Sequence, residues 1–192
     1  MLDVATAAGS VLAAFGLSGA AGLNAWIPLL VLGVLGRAGA IELAAPYDAL
    51  SSTVGLIVLG VLFALDFVGD KVPAVDSLLH AAGSVVHPVA GAIAFAGPTE
   101  LPTDLPSLLQ FAVGASVAGS LHATRATIRP ASTTLTAGAG NPMLSLAEDA
   151  ASAALSVLAV LVPILGAILL LTVIALAALW WRRLRGSRRR SG

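Results

Sequence analysis

The sequence predicts an all-α polytopic membrane protein with five or six spans, and three observations carry that expectation. Of its 192 residues, 58% are hydrophobic and 10% are charged, whereas soluble domains carry about 25% charged residues. The charge-free runs are long: 4–36, 49–65, 81–99, 105–121, 130–147 and 150–181. A helix needs roughly 20 apolar residues to cross about 30 Å of hydrocarbon. Finally, Arg182, Arg183, Arg185, Arg188, Arg189 and Arg190 crowd behind Trp180 and Trp181, the order expected where a helix leaves the bilayer through an aromatic belt into the cytoplasm. The domain boundaries follow: 1–181 is a single transmembrane domain and 182–192 a basic cytoplasmic tail.

The first run lacks the basic n-region of a signal peptide and is too long for a short h-region, so it is read as a retained span. As one helix it would measure about 50 Å, too long for a straight crossing. The segment GLSGAAGLNAWIP (16–28) interrupts it. Glycines and Pro28 weaken the helix there, and Asn24 offers a side chain to the freed backbone groups. Broken backbone at membrane depth is stable only where protein or a water-filled cavity satisfies it.

The second run leads into DFVGDKVPAVDS (66–77), which holds three aspartates and the only lysine. Asp66 and Asp70 are four apart and share a helix face. Pro73 implies that the helix ends there. Lys71 is placed to neutralise Asp70 or a carboxylate from another span, which lowers the cost of burying either. Asp70, Lys71 and Asp76 also fit a solvated helix end, while Asp66, one turn deeper, is expected to face an internal polar space.

With six spans, the acidic loop PTELPTDLP (98–106) lies opposite the tail, and Lys71, Arg125 and Arg129 lie on the tail's side, as the positive-inside rule favours. His122, Arg125 and Arg129 follow one another at intervals of 3 and 4 on one helix face. Interface anchoring or binding of lipid phosphate is the expectation for Arg125 and Arg129, with the carboxylates of the other half as alternative partners. Shifting residues 65–97 by 54 places Lys71 on Arg125 and Pro88 on Pro142. This weak internal repeat would give each half a helix opened by proline in its first turn.

From Asn141 onward, Asn141, Ser145, Glu148, Ser152 and Ser156 recur on one helix face, with Leu144, Leu146, Leu155 and Leu158 largely off it. Serines on such a stripe commonly pack helices together. Glu148 and Asp149 weigh towards a site, because a carboxylate within a span costs about 2.5–3.5 kcal/mol, although a position at the membrane boundary also accommodates them. The last run contains Pro163 and Gly166, consistent with a kinked helix or a tight hairpin.

Four motifs, GLNAWIPLL, DFVGDKVPAVDS, HPVAGA and NPMLSLAED, in this order and at these separations, resemble the membrane-protein family called domain of unknown function 4126, from about Phe15 to about Pro163. The resemblance implies a compact multi-spanning protein with polar residues at Asn24, Asp66, Asp70, Lys71, Asp76, Asn141, Glu148 and Asp149. It implies no substrate.

Several chemistries are excluded or disfavoured. Without cysteine there is no disulfide or thiolate metal site. His80, His87 and His122 lack ligand spacing, and GLSGAAG lacks the Lys-Ser/Thr of a phosphate-binding loop. No metal or cofactor is therefore expected, and no catalytic residue is assigned. The leading expectation is a small transporter or channel binding a cation or proton through Asp66, Asp70, Lys71, Asp76, Glu148, Asp149, Asn24, Asn141 and Ser145. A structural or assembly protein is the alternative, and an intramembrane lipid-modifying enzyme using Mg²⁺ is the weaker one. Expected partners are the bilayer, the transported ion and a second copy in a homodimer, with no nucleic acid. Nine arginines to one lysine, with abundant Ala and Gly, point to a GC-rich bacterial genome, and the expected location is the bacterial plasma membrane.

Overall fold

The computed structural model describes residues 4–71, 73–98, 105–136, 140–162, 168, 171–176, 178–179 and 182. The middle of the PTELPTDLP loop, the segment 163–167, Trp180, Trp181 and the tail beyond Arg182 lie outside the described residues, as do the side chains of Asp76 and Arg129. Among the described residues the principal helices are α1 (Val4–Leu23), α2 (Trp26–Arg37), α3 (Thr53–Gly69), α4 (Pro73–Ala96), α5 (Ser107–Thr136) and α6 (Asn141–Leu161), with a 3-10 turn at Tyr47–Ser51 and further helical residues at 171–176. Among the described residues, the only β feature is an isolated bridge between Leu43 and Pro98.

Helix α1 is central and packs against α4, α5 and α6, while α3 lies against α2. Its small residues explain that position: Ala14, Ser18, Ala20 and Ala21 are fully buried and let three neighbours approach. The α4–α5 pair is closer still. A Cβ added at Gly91 would strike Ala118 and the carbonyl of Gly114, and one added at Gly114 would strike the carbonyl of Gly91. Small residues at such crossings let backbones approach and gain packing without a hydrophobic driving force.

Polarity is distributed opposite to a soluble fold. Val54, Ile57, Val58, Val61, Leu65 and Val68 give α3 a fully exposed apolar face, whereas Ser18, Asn24, His87, His122, Arg125, Ser145, Glu148, Asp149, Ser152 and Ser156 are buried. Leu78–Ala96 and Asn141–Leu161 are long and apolar enough to cross a membrane, and Ala8–Leu23, Trp26–Arg37 and Thr53–Gly69 are shorter apolar helices.

Two expectations change. Pro142 sits in the first turn of α6 as expected, but Pro88 lies inside α4 rather than opening a helix. Lys71 follows the end of α3, while Arg125 lies within α5, so the two halves paired by the 54-residue shift differ in shape at both marker positions. Leu155 is also buried, against Ala20, Leu23 and Leu121, because α6 meets α1 over a face wider than its polar stripe. Helix α6 stops at Leu161, and Pro163 and Gly166, on which the choice between a kinked helix and a hairpin turns, lie outside the described residues.

Candidate functional site

The site forms where α1 gives way to α2. In a continuous helix the N–H groups of Trp26 and Ile27 would bond the carbonyls of Gly22 and Leu23. Instead both donate to Asn24 Oδ1, at 2.9 and 3.2 Å. The side chain caps α2 and releases the last carbonyls of α1, which then need other donors. Two helices supply them: His87 Nδ1 of α4 donates to Ala21 O at 2.6 Å and Arg125 Nη1 of α5 to Gly22 O at 3.5 Å. Ser152 Oγ of α6 adds a donor at 2.9 Å to Ala20 O, which also keeps its helical bond from Asn24 N. The break is thus supported from within the protein, as an interior discontinuity requires.

On the α1 side of the break the charges balance. Arg125 Nη2 donates to Glu148 Oε2 at 2.6 Å, with both side chains under a tenth exposed. The guanidinium also faces the negative end of the α1 dipole, which favours a cation there. Because a carbonyl only accepts, the His87 proton lies on Nδ1, and Nε2 is left to face Arg125 Nη1 at 3.4 Å. His122 stacks on His87 with ring centroids 4.3 Å apart, and His80 follows at 5.0 Å from His122. Gly83 makes room for them, since a Cβ there would press on both His87 and His122. Arg125 Nε is buried without a hydrogen-bond partner.

On the α2 side carboxylates gather. With its oxygen committed to α2, Asn24 turns its NH₂ group towards two carboxylates, donating to Asp149 Oδ1 at 2.9 Å and to Asp66 Oδ2 at 3.1 Å. Next to them Ser145 Oγ donates to Asp70 Oδ2 at 2.6 Å. Lys71 lies with Nζ 3.7 Å from the centroid of the Phe67 ring, a cation–π contact, and makes no hydrogen bond among the described residues. Asp149 Oδ2 is likewise buried without a hydrogen-bond partner, although the charges of Asp70, Lys71 and Arg125 all act on that carboxyl.

The folded chain therefore gathers Asn24, Asp66, Asp70, Lys71, Ser145, Glu148 and Asp149 around one break. Three expectations need correction. Arg125 is not an interface anchor: it is 8% exposed, because the face it shares with Gly114, Ala118 and Leu121 is the one α5 turns inward. Asn141 stays at the start of α6, where its Nδ2 donates to Thr133 Oγ1 at 3.0 Å, two turns away from Glu148 along α6. Lys71 rests on Phe67 rather than in an ion pair. Asp76 and Arg129 have side chains outside the described residues. Sequence reasoning missed His87 as a donor to α1 and the stacking of the three histidines. The seven-residue spacing of His80 and His87, which puts both on one face of α4, was the available signal. Among the described residues, no three His or carboxylate side chains converge in a way that could hold a metal ion.

No curated protein and no solved structure matches the chain. A family model does match, over residues 11–183, a span that includes every residue of the cluster. By that match the chain belongs to the family described as Domain of unknown function (DUF4126).

Proposed function

We propose that the protein is a multi-pass membrane transporter or channel whose interior carboxylates bind a cation or proton in transit. One observation carries this reading: at the break Asp66 and Asp149 converge on one Asn24 amide, with Asp70 and Glu148 beside them. Carboxylates inside a span are costly to insert and are by default functional candidates. Their convergence at a helix break is where a cargo cation or proton would be welcome. Transporter folds build their sites at such discontinuous helices, with helix ends and freed backbone groups around the ion.

The inside-out polarity supports the membrane setting, since lipid accepts the apolar face of α3 and ionisable residues turn to the bundle interior. Counting α1 with α2 as one broken crossing, then α3, α4, α5 and α6, gives five, and the apolar sequence 163–181 is long enough for a sixth. Six crossings put Lys71 and Arg125 towards the cytoplasm, on the same side as the basic tail. A bacterial plasma membrane, in which two copies can pair, is the setting we infer.

The test is ion flux into liposomes containing the purified full-length protein, read with internal dyes for pH, sodium and potassium. Flux above that of empty liposomes, lost in Asp149→Asn, supports the reading. Equal flux in protein-containing and empty liposomes under every gradient removes it. A structural or assembly role is the second reading. The charge-balanced Arg125–Glu148 brace across α5 and α6 favours it, and a partner copurifying at fixed stoichiometry would be its signature.

A further inference from the structure

We infer that the species bound at the break is a proton rather than a metal cation, held by Asp66 and Asp149 with Asn24 as the positioning residue. The inference rests on the transport reading above and narrows it, and the donor inventory of the site carries it.

A metal ion in a discontinuous helix is held by carboxylates together with backbone carbonyls freed by the unwinding. Here two of the freed carbonyls already have donors: Ala21 O accepts from His87 and Gly22 O from Arg125. The Asn24 oxygen, the other candidate ligand, is occupied by two backbone N–H groups. Only an oxygen can accept those bonds, so the amide cannot flip, and its NH₂ group must face the carboxylates. An NH₂ group cannot ligate a cation. Hard divalent cations take six or more oxygen ligands, and among the described residues no group of three His or carboxylate side chains converges to hold one.

A proton needs far less. Asp66 Oδ2 and Asp149 Oδ1 approach the same Asn24 nitrogen, which brings two carboxyl groups of like charge together. Two such groups commonly share one proton. Asp149 Oδ2 is buried without a hydrogen-bond partner in a residue only 9% exposed, and it offers the place for it. Binding forms one O–H bond at that oxygen at the expense of a hydronium ion, and release to water on the other side reverses it. The charged groups around Asp149 are Asp66 on α3, Asp70 and Lys71 just after it, Arg125 on α5 and Glu148 on α6.

Infrared difference spectroscopy on the full-length protein in lipid bilayers tests this. The pH is stepped in a buffer whose only cation is a large organic ammonium, then the steps are repeated with sodium, potassium or magnesium. Expected is a protonated-carboxyl band that titrates with pH, is lost in Asp149→Asn and Asp66→Asn, and is unaffected by the added metal ions. Both variants replace a carboxylate with an amide of the same shape, and far-ultraviolet circular dichroism confirms their helix content. A band abolished by a metal ion at constant pH overturns the proton assignment, as does a titrating band retained in both variants or no titrating band at all. Dye flux on the same vesicles separates the two levels. Flux driven by a sodium or potassium gradient with no titrating band leaves the transport reading standing and removes the proton. A titrating band lost in both variants, but without flux of any ion, keeps the proton site and removes transport.

Discussion

The two sides of the α1–α2 break are built from the same residue types and end in different states. On the α1 side one arginine meets one glutamate, and the carbonyls of Ala21 and Gly22 find donors on other helices. On the α2 side Asp66 and Asp149 converge on one amide beside Asp70, the nearby lysine rests on an aromatic ring, and Asp149 Oδ2 is left without a hydrogen bond. A paired buried network holds helices together, whereas carboxylates converging inside a span are functional candidates. The interior thus divides into a brace and a site, with Asn24 belonging to both.

Four variants break or sharpen that division, in order of their expected effect on stability. Arg125→Met leaves Glu148 buried and uncompensated and should cost about 3–5 kcal/mol, the usual penalty for removing one partner of a buried ion pair. Thermal unfolding in nanodiscs reads it. Adding Glu148→Leu should recover most of the loss, and a double variant as unstable as the single one would mean that the pair is not the brace. Asn24→Ala removes the α2 cap, worth about 1–2 kcal/mol, together with the shared donor of Asp66 and Asp149. Hydrogen exchange should accelerate at the amides of Trp26 and Ile27 and stay slow around Leu17 and Ser18 in α1. Asp149→Asn keeps an oxygen to accept from Asn24, so its stability should remain within about 1 kcal/mol of the parent, while flux is lost. Lys71→Gln should change stability least, by less than about 1 kcal/mol, the size of a lost cation–π contact near a helix end. By making the site more negative it should strengthen binding of the transported ion, which lowers the concentration at half-maximal flux.

Much of this was legible in the sequence. The i, i+4 spacing of Asp66 and Asp70 and the polar stripe through Ser145, Glu148, Ser152 and Ser156 mark the faces that meet. Gly and Pro residues around Asn24 mark the break. What periodicity cannot supply is which of several faces turns inward. Arg125 shares its face with His122 and Arg129, which suggested an anchor, but also with Gly114, Ala118 and Leu121, and the small residues at the α4–α5 crossing turn that whole face inward. The histidine stack was beyond reach for a related reason: His122 meets His80 and His87 only through the register of α4 on α5, a tertiary property. Pro88 misled because proline usually opens helices, yet inside a bundle neighbouring helices can satisfy the backbone groups it frees.

The central claim is that site and brace are separable, and one paired experiment addresses it most directly. Ion flux and thermal unfolding are measured side by side for the parent, Asp149→Asn and the Arg125→Met/Glu148→Leu double variant. The account predicts that Asp149→Asn unfolds near the parent's temperature without carrying ions, while the double variant, once folded, still carries them. Flux retained in Asp149→Asn and abolished in the folded double variant would contradict it and move the functional centre to the brace.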